Sequence, residues 1–174
     1  MTTKTTLLIA VTLLLTGGSQ QAKLKNAQSD WIVFAPKDGG YSVKLPWKPT
    51  ALSLPHDTAE GRILYELIHE DLKYVVGYMN QPISVETADR DKFLSTAAES
   101  GITSSGGKVL RNTSISLNGF PGREVTGEME GFSYRSRVYL VRQRLYLLIV
   151  WQLPNKTDSE NAAKFFDSFQ IVAR

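Results

Sequence analysis

The spacing of apolar and polar positions divides the chain into a short apolar leader, a polar stretch, and a longer region of alternating and helical patterns. Leu7 to Leu15 is almost wholly apolar, follows Lys4, and gives way to Thr16-Gly17-Gly18-Ser19 and then to polar Gln20–Lys25. A charged start, a brief apolar run and a small-residue exit are the pattern of a secretory signal peptide. The run falls short of the roughly 20 apolar residues that span a bilayer. Cleavage after Ser19 or after Ala22 fits equally well. The expected organisation is a signal peptide over 1–22, a linker over 23–30 and a single domain over 31–174. A Cys after Leu15-Thr16-Gly17 would complete a lipid-attachment signal, but position 18 is Gly and has no thiol to acylate.

Beyond the linker the strand period dominates. Trp31–Ala35 is a short apolar run stopped by Pro36, Asp38-Gly39-Gly40 reads as a turn, and Tyr41–Leu45 alternates before Pro46. Thr50–Leu54, Ile63–Ile68 and Leu72–Met79 read as further strands, the last two joined at His69-Glu70-Asp71. Phe93, Leu94, Ala97 and Ala98 then recur at helical spacing, which predicts a helix over about 89–100 with Gly101 as its stop. Four strands follow, over Lys108–Leu117, Arg123–Met129, Tyr134–Val141 and Leu145–Leu153. Their turns are expected at Asn118-Gly119, Glu130-Gly131-Phe132-Ser133 and Arg142-Gln143-Arg144. Leu145–Trp151 is apolar on both faces, the mark of a central strand covered on both sides. At the end, Thr157-Asp158-Ser159-Glu160 fits a capping box, and Ala162, Phe165, Phe166 and Phe169 form one apolar helical stripe. The expected architecture is α+β: an α/β/α sandwich around a single, mainly antiparallel sheet, with one internal and one C-terminal helix.

Composition narrows the chemistry. The chain of 174 residues has no Cys and two His, so disulfides, Cys zinc sites, thiolate nucleophiles and Cys-ligated iron–sulfur clusters are excluded. A formal charge of +3 does not by itself point to nucleic acid. Gly101–Lys108 superficially resembles a phosphate loop, but Ile102 and Val109 stand where the pattern needs Gly and Ser or Thr. His69-Glu70 begins like a zinc-protease helix, yet Lys73 occupies the position of the second His. His56, Asp57 and Glu60 read as a solvated loop rather than a metal site. Asn112-Thr-Ser and Asn155-Lys-Thr match the glycosylation pattern at a rate that chance explains. No catalytic, cofactor-binding or metal-binding residue is assigned, and no cofactor is expected.

The basic residues are the one chemical concentration. Arg135, Arg137, Arg142 and Arg144 crowd one hairpin, with Arg123 nearby. One reading is a docking patch for an acidic partner. The other is cross-strand pairing: with a turn at Gly131-Phe132, Glu128 would face Arg135, a pairing worth about 0.2–1 kcal/mol.

Taken in order, Trp31…Phe34-Ala-Pro36, Gly40-Tyr-Ser-Val-Lys-Leu-Pro46, Gly119-Phe-Pro-Gly-Arg-Glu124, Arg144-Leu-Tyr146 and Phe165-Phe-Asp-Ser-Phe169 resemble the PsbP-like fold group. That group includes the extrinsic PsbP proteins of photosystem II, a Ran-binding nuclear import factor and many bacterial exported proteins and lipoproteins. The resemblance covers about Trp31–Arg174 and rests on structural motifs. It implies an exported, non-enzymatic module that binds or helps assemble another protein. The alternative is an exported small-ligand binder or enzyme; a charged cluster lining a deep pocket would favour it, and flat, filled sheet faces would disfavour it. The expected location is the periplasm, a thylakoid lumen or the extracellular space. A protein partner is expected, with no nucleic acid, and with membrane contact only through an uncleaved signal or a membrane-bound partner.

Overall fold

Turn chemistry and strand patterning account for most of the observed chain path. The structure, a computed structural model, describes residues 31–52, 61–80, 89–152 and 159–172. Its strands are β1 (Ile32–Phe34), β2 (Tyr41–Leu45), β3 (Thr50–Leu52), β4 (Arg62–His69) and β5 (Leu72–Asn80), then β6 (Lys108–Leu117), β7 (Phe120–Met129), β8 (Phe132–Val141), β9 (Arg144–Gln152) and β10 (Gln170–Ile171). Helix α1 (Arg90–Thr103) lies between β5 and β6, and α2 (Ser159–Asp167) between β9 and β10.

Seven strands pair antiparallel in the order β3-β4-β5-β9-β8-β7-β6. The doubly apolar strand β9 is the middle one, as its pattern required. Tyr146, Leu148 and Val150 face one apolar cluster with α2, while Leu145 and Ile149 face another with α1. Beside the main sheet, β1, β2 and β10 form a separate three-stranded sheet. The expectation of a single sheet is therefore corrected. β2 finds its second neighbour in the unforeseen β10, where Gln170 stands opposite Ser42 and Ile171 opposite Tyr41. A two-residue strand carries too little alternation to be read from sequence.

Three boundaries also shift. Helix α1 runs through Gly101 to Thr103, because that glycine serves close packing: a Cβ there would sit 2.5 Å from the Tyr134 hydroxyl. The helix ends at Thr103, and the chain turns away at Gly106, whose φ of +79° is left-handed, while the Gly107 amide donates to the Ile102 carbonyl. The β7–β8 turn is the two-residue pair Glu130-Gly131, with φ of 48° and 83°, so Phe132 and Ser133 belong to β8. Finally, Phe169 leaves α2 yet stays buried at 2% exposure, stacked on Tyr139 with 5.9 Å between ring centres. The capping residues Thr157 and Asp158, like His56 and Asn155, lie outside the described residues.

Candidate functional site

The shortened β7–β8 turn resets the arginine pairing. Glu128 stands opposite Ser133, and Glu124 opposite Arg137, two residues from the expected register. A shift of two keeps every side chain on its face and changes only its partner. Glu124 therefore becomes a hub: Arg135 Nη2 donates to its carboxylate at 2.8 Å and Arg137 Nε at 2.6 Å. Arg137 also donates to Asp167 of α2 at 3.0 Å. Both guanidiniums lie over the Phe166 ring, 4.9 and 5.1 Å from its centre. Two cations thus meet two carboxylates between the sheet and α2. Burial pushes the Glu124 carboxyl up, but the hydrogen bonds and charges of Arg137 and Arg135 outweigh it and hold that group below its ordinary range.

Arg123 is occupied in the same way on the opposite face. It pairs with Asp91 of α1 and approaches Asn112 Oδ1 at 3.5 Å. The Asn112 amide in turn donates to Ser95 Oγ at 2.7 Å and to Glu99 at 2.6 Å. The nitrogen that a glycan would need is committed to pinning α1 against β6.

Arg142 and Arg144 differ from these three. Arg142 is exposed at the β8–β9 turn with φ of 56°. Arg144 is held rigidly: Nε donates to Asn80 Oδ1 at 3.0 Å, and Nη1 to the Asp38 and Gly39 carbonyls at 3.0 and 2.9 Å. Its guanidinium lies 4.2 Å from the centre of the Tyr78 ring. Among the described residues neither arginine has an acidic partner. They edge an open cleft of about 870 Å³ whose apolar lining includes Phe120, Val141 and Ile171, and among the described residues no acidic side chain lines it. Asn80, Asn118 and Gln143 add amide groups. The hairpin's four arginines therefore divide into an internally compensated pair and an uncompensated pair on the cleft.

The remaining candidates have simpler outcomes. His69 closes β4 opposite Leu72, beside the turn. Among the described residues no three His, Asp or Glu side chains gather as for a metal, and no helix is long and apolar enough to cross a membrane.

No protein-family model matches the sequence, and no curated protein matches it either. Among solved structures, the solution structure of cyanobacterial PsbP (CyanoP) from Synechocystis is similar with a TM-score of 0.62 at 11% identity, covering 82% of this chain and 93% of that one. The chain has a PsbP-like fold. The yeast Ran-binding protein Mog1p is also similar, with a TM-score of 0.49 at 10% identity over 83% of this chain and 96% of that one.

Three of the motifs by which the sequence resembles the PsbP-like group, Gly40–Pro46, Arg144–Tyr146 and Phe165–Phe169, meet in one packed unit. The Tyr146 hydroxyl donates to the Gly39 carbonyl at 3.1 Å, beside the Arg144 bonds to the same turn. Gly40 allows this approach, since its φ is +68° and a Cβ would sit 3.0 Å from that hydroxyl. Phe169 completes the unit against Tyr41 and Tyr146, at ring separations of 5.5 and 5.8 Å. The uncompensated arginines stand at its rim. Arg144 belongs to the PsbP-like framework, and Arg142 projects from it.

Proposed function

We propose that this chain is an exported, non-enzymatic PsbP-like module that binds or helps assemble another protein, docking through the tip of the β8–β9 hairpin. The observation that carries this reading is the split among the arginines. Arg135 and Arg137 spend their charge on Glu124 and Asp167, whereas Arg142 and Arg144 present theirs beside an apolar-lined cleft. An acidic partner segment with apolar neighbours complements such a surface, and its association is steered by charge and weakened by salt.

The test uses Arg142→Glu, because Arg142 makes no structural bond among the described residues. Partner captured by the tagged protein in its own host should fall at least tenfold with this variant, while thermal stability stays within about 0.5 kcal/mol of wild type. Arg135→Gln should do the reverse, lowering stability and leaving capture intact. Undiminished capture by Arg142→Glu overturns the assignment.

Export has its own measurement. Intact mass of protein from the exported fraction should lack the first 19–22 residues, as the leader pattern predicts. Full-length chain confined to the cytoplasm contradicts it.

The cleft supports a second reading, since about 870 Å³ lies in the size range of small-molecule sites, roughly 300–1,000 Å³. A melting-temperature rise with small dicarboxylates, lost in Arg142→Glu, distinguishes a ligand site from a protein-docking one.

A further inference from the structure

The two edges of the seven-stranded sheet are protected very differently. An open edge offers a row of backbone N–H and C=O groups to any approaching strand, and natural sheets blunt it with short strands, charges, prolines or bulges. β3, at one edge, has three residues, whereas β6, at the other, has ten. The protecting features of β6 gather at its start: Lys108, Arg111 and a bulge between Val109 and Arg111. From Asn112 to Leu117 the strand carries no charge and no proline, and it pairs with β7 in unbroken register. The turn identifies the free groups. Asn118 and Gly119 form a two-residue turn with φ of 51° and 82°, so Leu117 and Phe120 are the closing pair that exchanges backbone bonds. By alternation Ile115 and Thr113 also bond β7, while Ser116, Ser114 and Asn112 hold their N–H and C=O groups outward. Ser114 and Ser116 are exposed, and among the described residues no strand pairs with this side of β6.

We propose that β6 pairs with β6 of a second copy of this chain, antiparallel about a two-fold axis at Ser114, joining two seven-stranded sheets edge to edge. The strand complements itself best in that register. Ser114 meets the partner's Ser114 and Asn112 meets the partner's Ser116, so every outward group finds a donor or an acceptor. An axis at Thr113 would set Ser116 against Leu110 at the bulge, and one at Ile115 would set Asn112 against Asn118 in the turn. The axis at Ser114 also opposes no like charges, since Arg111 falls opposite the partner's Leu117. The charges just behind the edge are already spent. Arg123, opposite Ser114, pairs with Asp91, and Glu124, opposite Thr113, holds Arg135 and Arg137. The Asn112 side chain is committed to Ser95 and Glu99 of α1, which leaves its backbone free to pair. One added strand pair buries little area, so this dimer is weak and concentration-dependent, and its symmetry closes it at two copies. It uses neither Arg142 nor Arg144.

The chain has no cysteine, so a single introduced one reports the register. In the full chain, Ser114→Cys would bring two Cα atoms to about 5.5 Å across the axis, within the roughly 4.4–6.8 Å that a disulfide spans. On mild oxidation this variant should form a linked dimer at least about tenfold faster than Ser104→Cys, an exposed position just beyond α1. Thr113→Cys and Ile115→Cys should each link slowly alone and quickly when mixed, because each faces the other across the axis. Sedimentation of the wild-type chain from about 1 μM to about 1 mM should show monomer passing to dimer. Ser114→Pro, which removes an outward N–H and spares the β6–β7 bonds, should raise the dimer Kd about tenfold or more. A wild-type monomer throughout that range overturns the proposal. So does a dimer in which Ser114→Cys links no faster than Ser104→Cys, which marks association through the leader or another surface.

Discussion

Replacing Phe165 by Ala is expected to lower unfolding stability by about 3–5 kcal/mol, the range for deleting a buried aromatic ring. Phe165 is fully buried on α2 and meets Tyr74 edge-on at 5.2 Å and Phe166 at 5.3 Å. Nothing nearby can fill the space, because Tyr74 belongs to a paired central strand and cannot follow the missing ring. In a denaturant titration the midpoint should fall with the slope unchanged, and the melting temperature should drop by about 10 °C or more. Ile68→Ala is the control: this side chain is 70% exposed and its loss should stay within about 0.5 kcal/mol. A Phe165→Ala cost below about 1 kcal/mol would mean that α2 is not seated on the sheet as described.

Glu124→Gln is the second large effect, expected at about 2–3 kcal/mol at neutral pH. The substitution keeps the shape and leaves the Arg135 and Arg137 guanidiniums without their shared charge. Glu124 and Arg137 are only 22% and 18% exposed, so water offers partial compensation. The pH dependence follows from the direction of the Glu124 shift. Its folded-state pKa lies below the ordinary 4.5, so the folded protein holds the proton less tightly than the unfolded chain. The stabilisation is complete above that ordinary value and is lost as pH falls through the lower folded value. Wild-type stability should therefore decline on acidification below about pH 4.5, and the Glu124→Gln curve should be flatter over the same window. Parallel acid limbs in the two proteins would remove Glu124 from its central place.

How much of this is legible in the sequence depends on the range of the interactions. Strands β4 to β9, both helices and the covered nature of β9 follow from alternation, helical spacing and turn residues, all of which act within a few positions. Asn118-Gly119 falls where the sequence places it because the pair itself encodes the turn. Glu130-Gly131 encodes one too, but the following Phe132 and Ser133 look equally loop-like, and two misplaced residues set Arg135 opposite Glu128, whereas Arg135 and Arg137 both bond Glu124. Gly101 misleads for a related reason. A glycine that ends a helix and one that admits a neighbouring tyrosine are the same letter, and Tyr134 is far away along the chain.

The arginine hairpin shows where the sequence stops being sufficient. Local pattern determined that the four arginines share one hairpin and that the chain forms an α+β sandwich; the PsbP-like group entered through the resemblance of its motifs. Only the tertiary structure decided which charges are spent. Arg137 is compensated because α2 brings Asp167 across the sheet, and Arg144 is held rigid because the Gly39 turn, remote in sequence, packs on its strand. Burial and charge balance depend on groups adjacent in space, and a linear chain specifies those only through the fold that its local patterns jointly build.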